Sequence, residues 1–160
     1  MGEAKDDFLA RLSPHKEKLY NFILKAANGS PDADDLYQDT VLRAFRYYSS
    51  YDKKKAFKPW VFRIAANTIR DYFRRHHPAL QLEHLDVPDG TDSRAEQDIR
   101  EIYRLAARLK PKHRQVFFLY YDSDFSVSEI SEVTGLSVFS VKFILSQSRK
   151  AVKRHLGGSE

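Results

Sequence analysis

Two apolar stripes, one within residues 33–48 and one within 57–72, leave this chain few folds to choose from. Ala33, Leu36, Tyr37, Thr40, Val41, Ala44, Phe45 and Tyr48 recur at three- and four-residue spacing, the period of a helix with one buried face. Phe57, Trp60, Val61, Ile64, Ala65, Thr68, Ile69 and Tyr72 repeat the pattern. Each stripe needs another helix to cover it, so the spacing predicts an all-α fold. What the stripes leave outside differs in sign. The first helix shows Asp35, Gln38, Asp39 and Leu42; the second shows Arg63, Asn67, Arg70, Asp71, Arg74 and Arg75. One packed unit therefore offers an acidic, polar surface to one partner and a mostly basic surface to another.

Charge is segregated along the 160 residues. Residues 1–40 carry 5 Lys/Arg against 8 Asp/Glu, residues 41–80 carry 10 against 2, residues 81–102 carry 2 against 7, and residues 103–156 carry 10 against 4. Two basic blocks separated by an acidic segment imply two polyanion-binding surfaces on a flexible tether. The absence of cysteine excludes disulfides and thiolate metal sites and suits a reducing cytoplasm. No apolar run approaches the roughly 20 residues of a membrane span, so no membrane insertion is expected. The acidic start, MGEAKDDFLARL, lacks a signal-peptide core, and Asp6 stands where a myristoylation motif needs Ser or Thr.

Catalytic chemistry is equally absent from the pattern. There is no Gly-rich phosphate loop, nucleophile elbow or paired catalytic carboxylate, so an enzyme is not expected. A calcium loop beginning at Asp32 would need glycine and glutamate where Tyr37 and Arg43 stand. His76 and His77 are neighbours that point apart on a helix. His15, His84, His113 and His155 have no ligand partner at a shared spacing. Neither metal nor cofactor is called for.

Punctuation divides the rest of the chain. Residues 3–12 predict a short helix through Phe8, Leu9 and Leu12. Ser13 is expected to cap a second one, with Pro14 in its first position. Its apolar face is Leu19, Tyr20, Ile23, Leu24 and Ala27, and Asn28-Gly29 ends it in the left-handed conformation. Ser30-Pro31 repeats the start signal, and acidic residues follow where the helix dipole favours them. His77-Pro78 closes the long basic helix. Residues 79–92, ALQLEHLDVPDGTD, lack helical period and read as a linker. Beyond it, Ser93 with Glu96 and Ser126 with Glu129 are capping boxes. The first opens a helix through Ile99, Ile102, Tyr103, Ala106 and Leu109, and residues 112–121 form the next, with Val116, Phe117 and Tyr120 inward. The second box opens a short helix that stops at Gly135. Ser137 then caps a long basic helix from Val138 to about Leu156, which buries Val141, Leu145, Ser148 and Val152. Short helix, Gly-containing turn and longer basic helix form a helix-turn-helix signature.

Two long, ordered patterns carry a resemblance. DDLYQDT followed by FKPWVFRIAANTIRDYFRR resembles the second conserved region of bacterial sigma factors of the extracytoplasmic-function (ECF) group. LKPKHRQVFFLYY with SVSEISEVTGLSVFSVK resembles their fourth region. The resemblance implies two small helical domains, residues 1–78 and 93–160, joined by a flexible acidic linker over 79–92. It implies a non-enzymatic transcription factor that works in the cytoplasm with core RNA polymerase and promoter DNA, under the control of an anti-sigma factor. It assigns polymerase contact to Asp35, Gln38, Asp39 and Leu42. It assigns the −10 element to Arg63, Asn67, Arg70, Arg74 and Arg75, with Asn67 beside a flipped base and the arginines on phosphates. Asp71 is read as the intrahelical partner that orients Arg74 or Arg75, and Trp60 as core rather than as a wedge in DNA.

The −35 element falls to Phe139, Ser140, Lys142, Phe143, Ser146, Gln147 and Arg149. Here the chain departs from its family, which carries a small residue at the position of Phe139 and arginines at those of Ile144 and Gln147. The departure motivates an alternative, a sigma-like decoy that binds an anti-sigma factor without initiating transcription. A dimeric helix-turn-helix repressor would need a dimerisation element or ligand domain, and neither is evident.

Overall fold

Eight α-helices account for nearly all the described residues, which are 2–76 and 94–156 of the computed structural model; for 94–99, 152, 155 and 156 only the backbone is described. They are α1 (Gly2–Leu12), α2 (Lys16–Ala26), α3 (Ala33–Tyr47), α4 (Phe57–His76), α5 (Arg94–Ala107), α6 (Pro111–Tyr121), α7 (Val127–Thr134) and α8 (Val138–Leu156). The expected linker and the Ser93–Glu96 capping box lie outside the described residues.

Local signals set most boundaries. Asn28 and Gly29 both adopt left-handed φ, 63° and 69°, and end α2. Ser126 caps α7 through a complete capping box with Glu129, and Gly135 closes that helix at φ 77°. Ser137 accepts from the Ser140 amide at 3.1 Å and starts α8. Two start signals work differently. Ser30 bonds the Tyr72 hydroxyl and accepts from the Asp32 amide, and α3 begins at Ala33 without a side-chain cap. Ser13 makes no side-chain cap; Ser13–His15 form a turn of 3-10 helix, and α2 begins only at Lys16. Pro14 there continues the turn from α1 and leaves the serine hydroxyl no helix to cap.

The N-terminal half packs as expected around α3 and α4, with α2 against both. Phe8, Tyr48, Tyr51, Phe57 and Trp60 form a ring of edge-on and tilted aromatics at one end, with centroids 4.7–6.2 Å apart. Trp60 is half-buried within it, consistent with a packing role. Phe45, placed in the buried stripe by spacing, is 42% exposed and touches Phe8 only by its edge. It sits at the margin of α3, where Phe8 of α1 covers it only in part.

The two halves share one core. α7 packs along α4, and α6 packs on α2 and α4. Phe62 is fully buried and meets Phe125 edge-on at 5.0 Å. Arg114, only 3% exposed, reaches across the seam. Its Nε donates to the Ala26 carbonyl at 2.9 Å, its Nη1 to those of Leu109 at 2.9 Å and Ala107 at 3.3 Å, and its guanidinium lies over the Phe73 ring at 5.0 Å. Gln115 Nε2 donates to the Ala66 carbonyl at 3.2 Å. At the rim Lys25 pairs with Asp122, Lys18 with Asp124 (both 2.6 Å), and Lys58 donates to the Ser123 carbonyl at 2.7 Å. α4 is therefore buried on two sides, by α3 and by α7.

Candidate nucleic-acid interface

The outward face of α4 and the end of α3 enclose a groove of about 690 Å³. Arg43, Arg46, Arg63 and Arg70 line it, with the Asn67 amide between them and the rings of Tyr47 and Trp60 at one end. Cations that can follow phosphates, flat rings that can stack and an amide that can donate and accept are the groups a single strand requires. Spacing placed Arg63, Asn67 and Arg70 here. It missed Arg43, Arg46 and Tyr47, because they belong to α3 and join the groove only once α3 is laid against α4.

A chain of ion pairs crosses this face. Asp39 holds Arg43 at 3.2 Å, Arg43 holds Asp71 at 3.2 Å, and Asp71 holds Arg74 at 2.8 Å. Asp71 thus orients Arg74 as expected, and it also ties α4 back to α3. Burial alone would lower the Arg43 pKa, but the bonds to Asp71 and Asp39 outweigh it and hold the guanidinium above its ordinary value. Arg75 leans on the Asp71 carbonyl, with Nε at 3.3 Å, and Arg74 and Arg75 both remain exposed beyond the groove.

The acidic face of α3 adjoins the groove: Asp39 is paired with Arg43 of the groove wall, and Arg46 stands one turn beyond Leu42 on the same side of the helix. Asp35 and Gln38 are exposed, Leu42 is 64% exposed, and Asp39 is half-buried by its link to Arg43.

The C-terminal half borders the groove. Glu129 and Glu132 of α7 line a second groove together with Arg63, Trp60 and Lys55. Gly135 and Leu136 close a third around Asn67, Arg70 and Phe73. Asn67 is half-buried as a result.

On α8, Phe139, Lys142, Phe143, Ser146, Gln147 and Arg149 are exposed, while Ser140 is half-buried and bonded to Ser137 at 3.0 Å. Val141, Leu145 and Ser148 are buried as the spacing predicts; the Val152 side chain lies outside the described residues. Ile144 is buried too, 5% exposed. Its lack of charge therefore follows from packing, and only Gln147 still departs from the expected arginines on the outer face.

The chain matches the model of sigma-70 region 2 over residues 12–78 and that of sigma-70 region 4 over residues 99–152. It is 29% identical to the ECF RNA polymerase sigma factor SigM of Bacillus subtilis over 141 residues, covering 84% of this chain and 86% of that one. It belongs to the ECF group of the sigma-70 family. SigW of B. subtilis is 26% identical, with 95% and 90% of the two chains covered. The fold of this sigma factor is that of two solved relatives. RpoE of Bartonella quintana, solved with the anti-sigma factor NepR, superposes with a TM-score of 0.78 at 21% identity, over 96% of this chain and 99% of that one. CnrH, solved with the cytosolic domain of CnrY, superposes with 0.72 at 22%, over 98% and 91%. A sigma factor acts in transcription initiation, and the two matched regions are the parts of this chain that carry the role. Among the described residues no helix is long and apolar enough to cross a membrane.

Proposed function

We propose that this sigma factor bridges core RNA polymerase and the melted −10 strand through adjoining faces of one helix pair. The observation that carries this reading is the groove of arginines around Asn67, set beside the acidic, leucine-bearing face of α3 and linked to it by the Asp39–Arg43 pair. Asp35, Gln38, Asp39 and Leu42 dock on the polymerase. Arg63, Arg70, Arg74 and Arg75 follow phosphates, and Asn67 bonds a base edge exposed by melting. Residues 1–78 and 93–160 act as the two domains, with 79–92 as the linker between them. The exposed face of α8 enters the −35 major groove. The protein works in the cytoplasm, and an anti-sigma factor masks these surfaces. Support for that partner comes from the solved relative RpoE, held by the anti-sigma factor NepR.

The seam between the halves adds a condition. Glu129 and Glu132 stand where phosphates would approach Arg63, and the Gly135 turn narrows access to Asn67. We infer that α7 leaves α4 as a strand enters, and that the free protein holds its own −10 face partly shut. Polymerase binding supplies the opening.

Run-off transcription with core polymerase tests the reading. Activity on a cognate promoter should fall at least tenfold for Asp39→Arg, by lost polymerase binding, and for Asn67→Ala, by lost melting with polymerase binding kept. Full activity in both variants would refute it. The decoy alternative drew on Ile144, which is buried, and retains only Gln147 in its favour.

A further inference from the structure

The first two turns of α8 carry an apolar patch on an otherwise hydrophilic face. Phe139 is 80% exposed and Phe143 54%, and Val138 beside them is 41% exposed. Elsewhere on that face stand Lys142, Ser146, Gln147, Arg149, Lys150, Lys153 and Arg154, all exposed. No Asp or Glu occurs between Val138 and Leu156. A helix with five cations, no acid and two bare phenyl rings complements a polyanion that offers apolar points inside its groove. Duplex DNA does so at one place only, the thymine C5-methyl group in the major groove.

Resting on the reading of α8 as the −35 helix, we infer that Phe139 and Phe143 are specificity residues that select thymines by packing on their methyl groups. The leading turns of such a helix are the part that meets base edges. Phe139 and Phe143 are four residues apart, so they rise about 6 Å along the helix. Base pairs stack about 3.4 Å apart, so the two rings reach methyls roughly two base-pair steps from one another. A phenyl ring neither donates to nor accepts from guanine, so these two positions discriminate by shape and burial alone. Lys142 and Gln147 remain for polar readout between and beyond them. A protein seated on the same rings would have to set acidic groups against five cations, whereas duplex DNA meets rings and cations together.

The test uses holoenzyme reconstituted from the full chain and core polymerase, on promoter fragments randomised across the −35 region. Retained sequences should carry a pair of thymines about two steps apart. Replacing each of those thymines by uracil, which removes only the methyl, should cut binding about fourfold per base, the worth of one methyl-sized apolar contact. Phe143→Ala and Phe139→Ala should bind thymine and uracil versions of their own position equally. Both rings are exposed, so an unchanged melting temperature shows that the variants are folded, and the uracil arm needs no variant at all. Equal binding of thymine and uracil by the unaltered protein overturns the inference while leaving −35 reading intact. So does a thymine preference that persists without the rings, or promoter use that is unchanged while an anti-sigma factor is lost. If no −35 sequence is retained, the reading of α8 falls and the inference with it.

Discussion

Replacing Arg114 by Met asks whether the seam between the halves is held by a buried cation or merely tolerates one. Methionine keeps most of the volume and the contact with Phe73 but removes three donated hydrogen bonds, to the carbonyls of Ala26, Leu109 and Ala107. Bonds from a charged donor are worth about 1.5–3 kcal/mol each, or roughly 4–9 kcal/mol for the three. Against them stands lost hydration. Burial lowers the Arg114 pKa from its ordinary value to about 10, and a shift of that size corresponds to roughly 3 kcal/mol. The balance favours the arginine by about 1–6 kcal/mol, and the Ala26 carbonyl is left facing an apolar side chain in the variant. We expect Arg114→Met to lose about 2 kcal/mol, a fall of about 4–8 °C in melting temperature for a chain of this size. Circular dichroism at 222 nm measures it. A variant as stable as the parent, or more stable, would refute the reasoning, because buried ionic groups can be net destabilising. The guanidinium would then be a cost that the seam carries rather than a tie that closes it.

Further expectations follow from the same structure. Burial lowers the pKa of His15 and His113, with Lys58 adding to the effect at His15 and Lys110 and Lys112 at His113. The unfolded chain then takes up protons first, so stability should fall as pH drops from about 7 through the folded-state values below 6.5. Urea midpoints at pH 7.5 and 5.5 should show the drop, and His113→Gln should reduce it. The pKa values of Asp7 and Asp124 are held below the usual carboxylate range, chiefly by hydrogen bonds from Tyr48 and Lys18 respectively. A second loss of stability should therefore begin as pH falls below about 4, and Asp124→Asn should soften it. Gly135→Ala places a side chain at φ 77° and should cost roughly 1–2 kcal/mol, with Gly135→Asn milder in the same melt. Arg70→Gln should lower the salt slope of single-strand binding by the holoenzyme by about 0.7, one phosphate's share; an unchanged slope would remove Arg70 from the phosphate path.

Periodicity revealed α3 and α4 because each has one face that must be covered whatever covers it. It could not reveal that α4 has a second such face. Phe62, Ala66 and Phe73 fall outside the first stripe, and they are buried or half-buried because α6 and α7 lie against them. Arg114 and Gln115 look solvent-facing beside Lys112 and His113, yet their partners are carbonyls of α2 and α4 some fifty to ninety residues away. No local pattern encodes such a bond. Ile144 shows the opposite limit. Its position in a DNA-reading helix suggested an outward role, and the packing of α8 turned it inward. Capping was legible where serine and glutamate sit three apart, as at Ser126, and misleading at Ser13, where proline carried the turn on as 3-10 helix. The acidic and basic faces were legible because charge marks what packing leaves outside. The groove between α3 and α4 was only half so, since Arg43 and Arg46 come from the helix assigned to the other surface.

The proposed opening, in which α7 leaves α4 when polymerase binds, changes one distance that can be measured. Lys55 and Glu132 line one groove across that seam and are both exposed, and the chain has no cysteine of its own, so Lys55→Cys and Glu132→Cys can carry a donor and an acceptor dye. Energy transfer should be high in the free protein and should collapse on addition of core polymerase, but not when Asp39→Arg is also present. Transfer that stays high in a transcriptionally active holoenzyme would contradict the account.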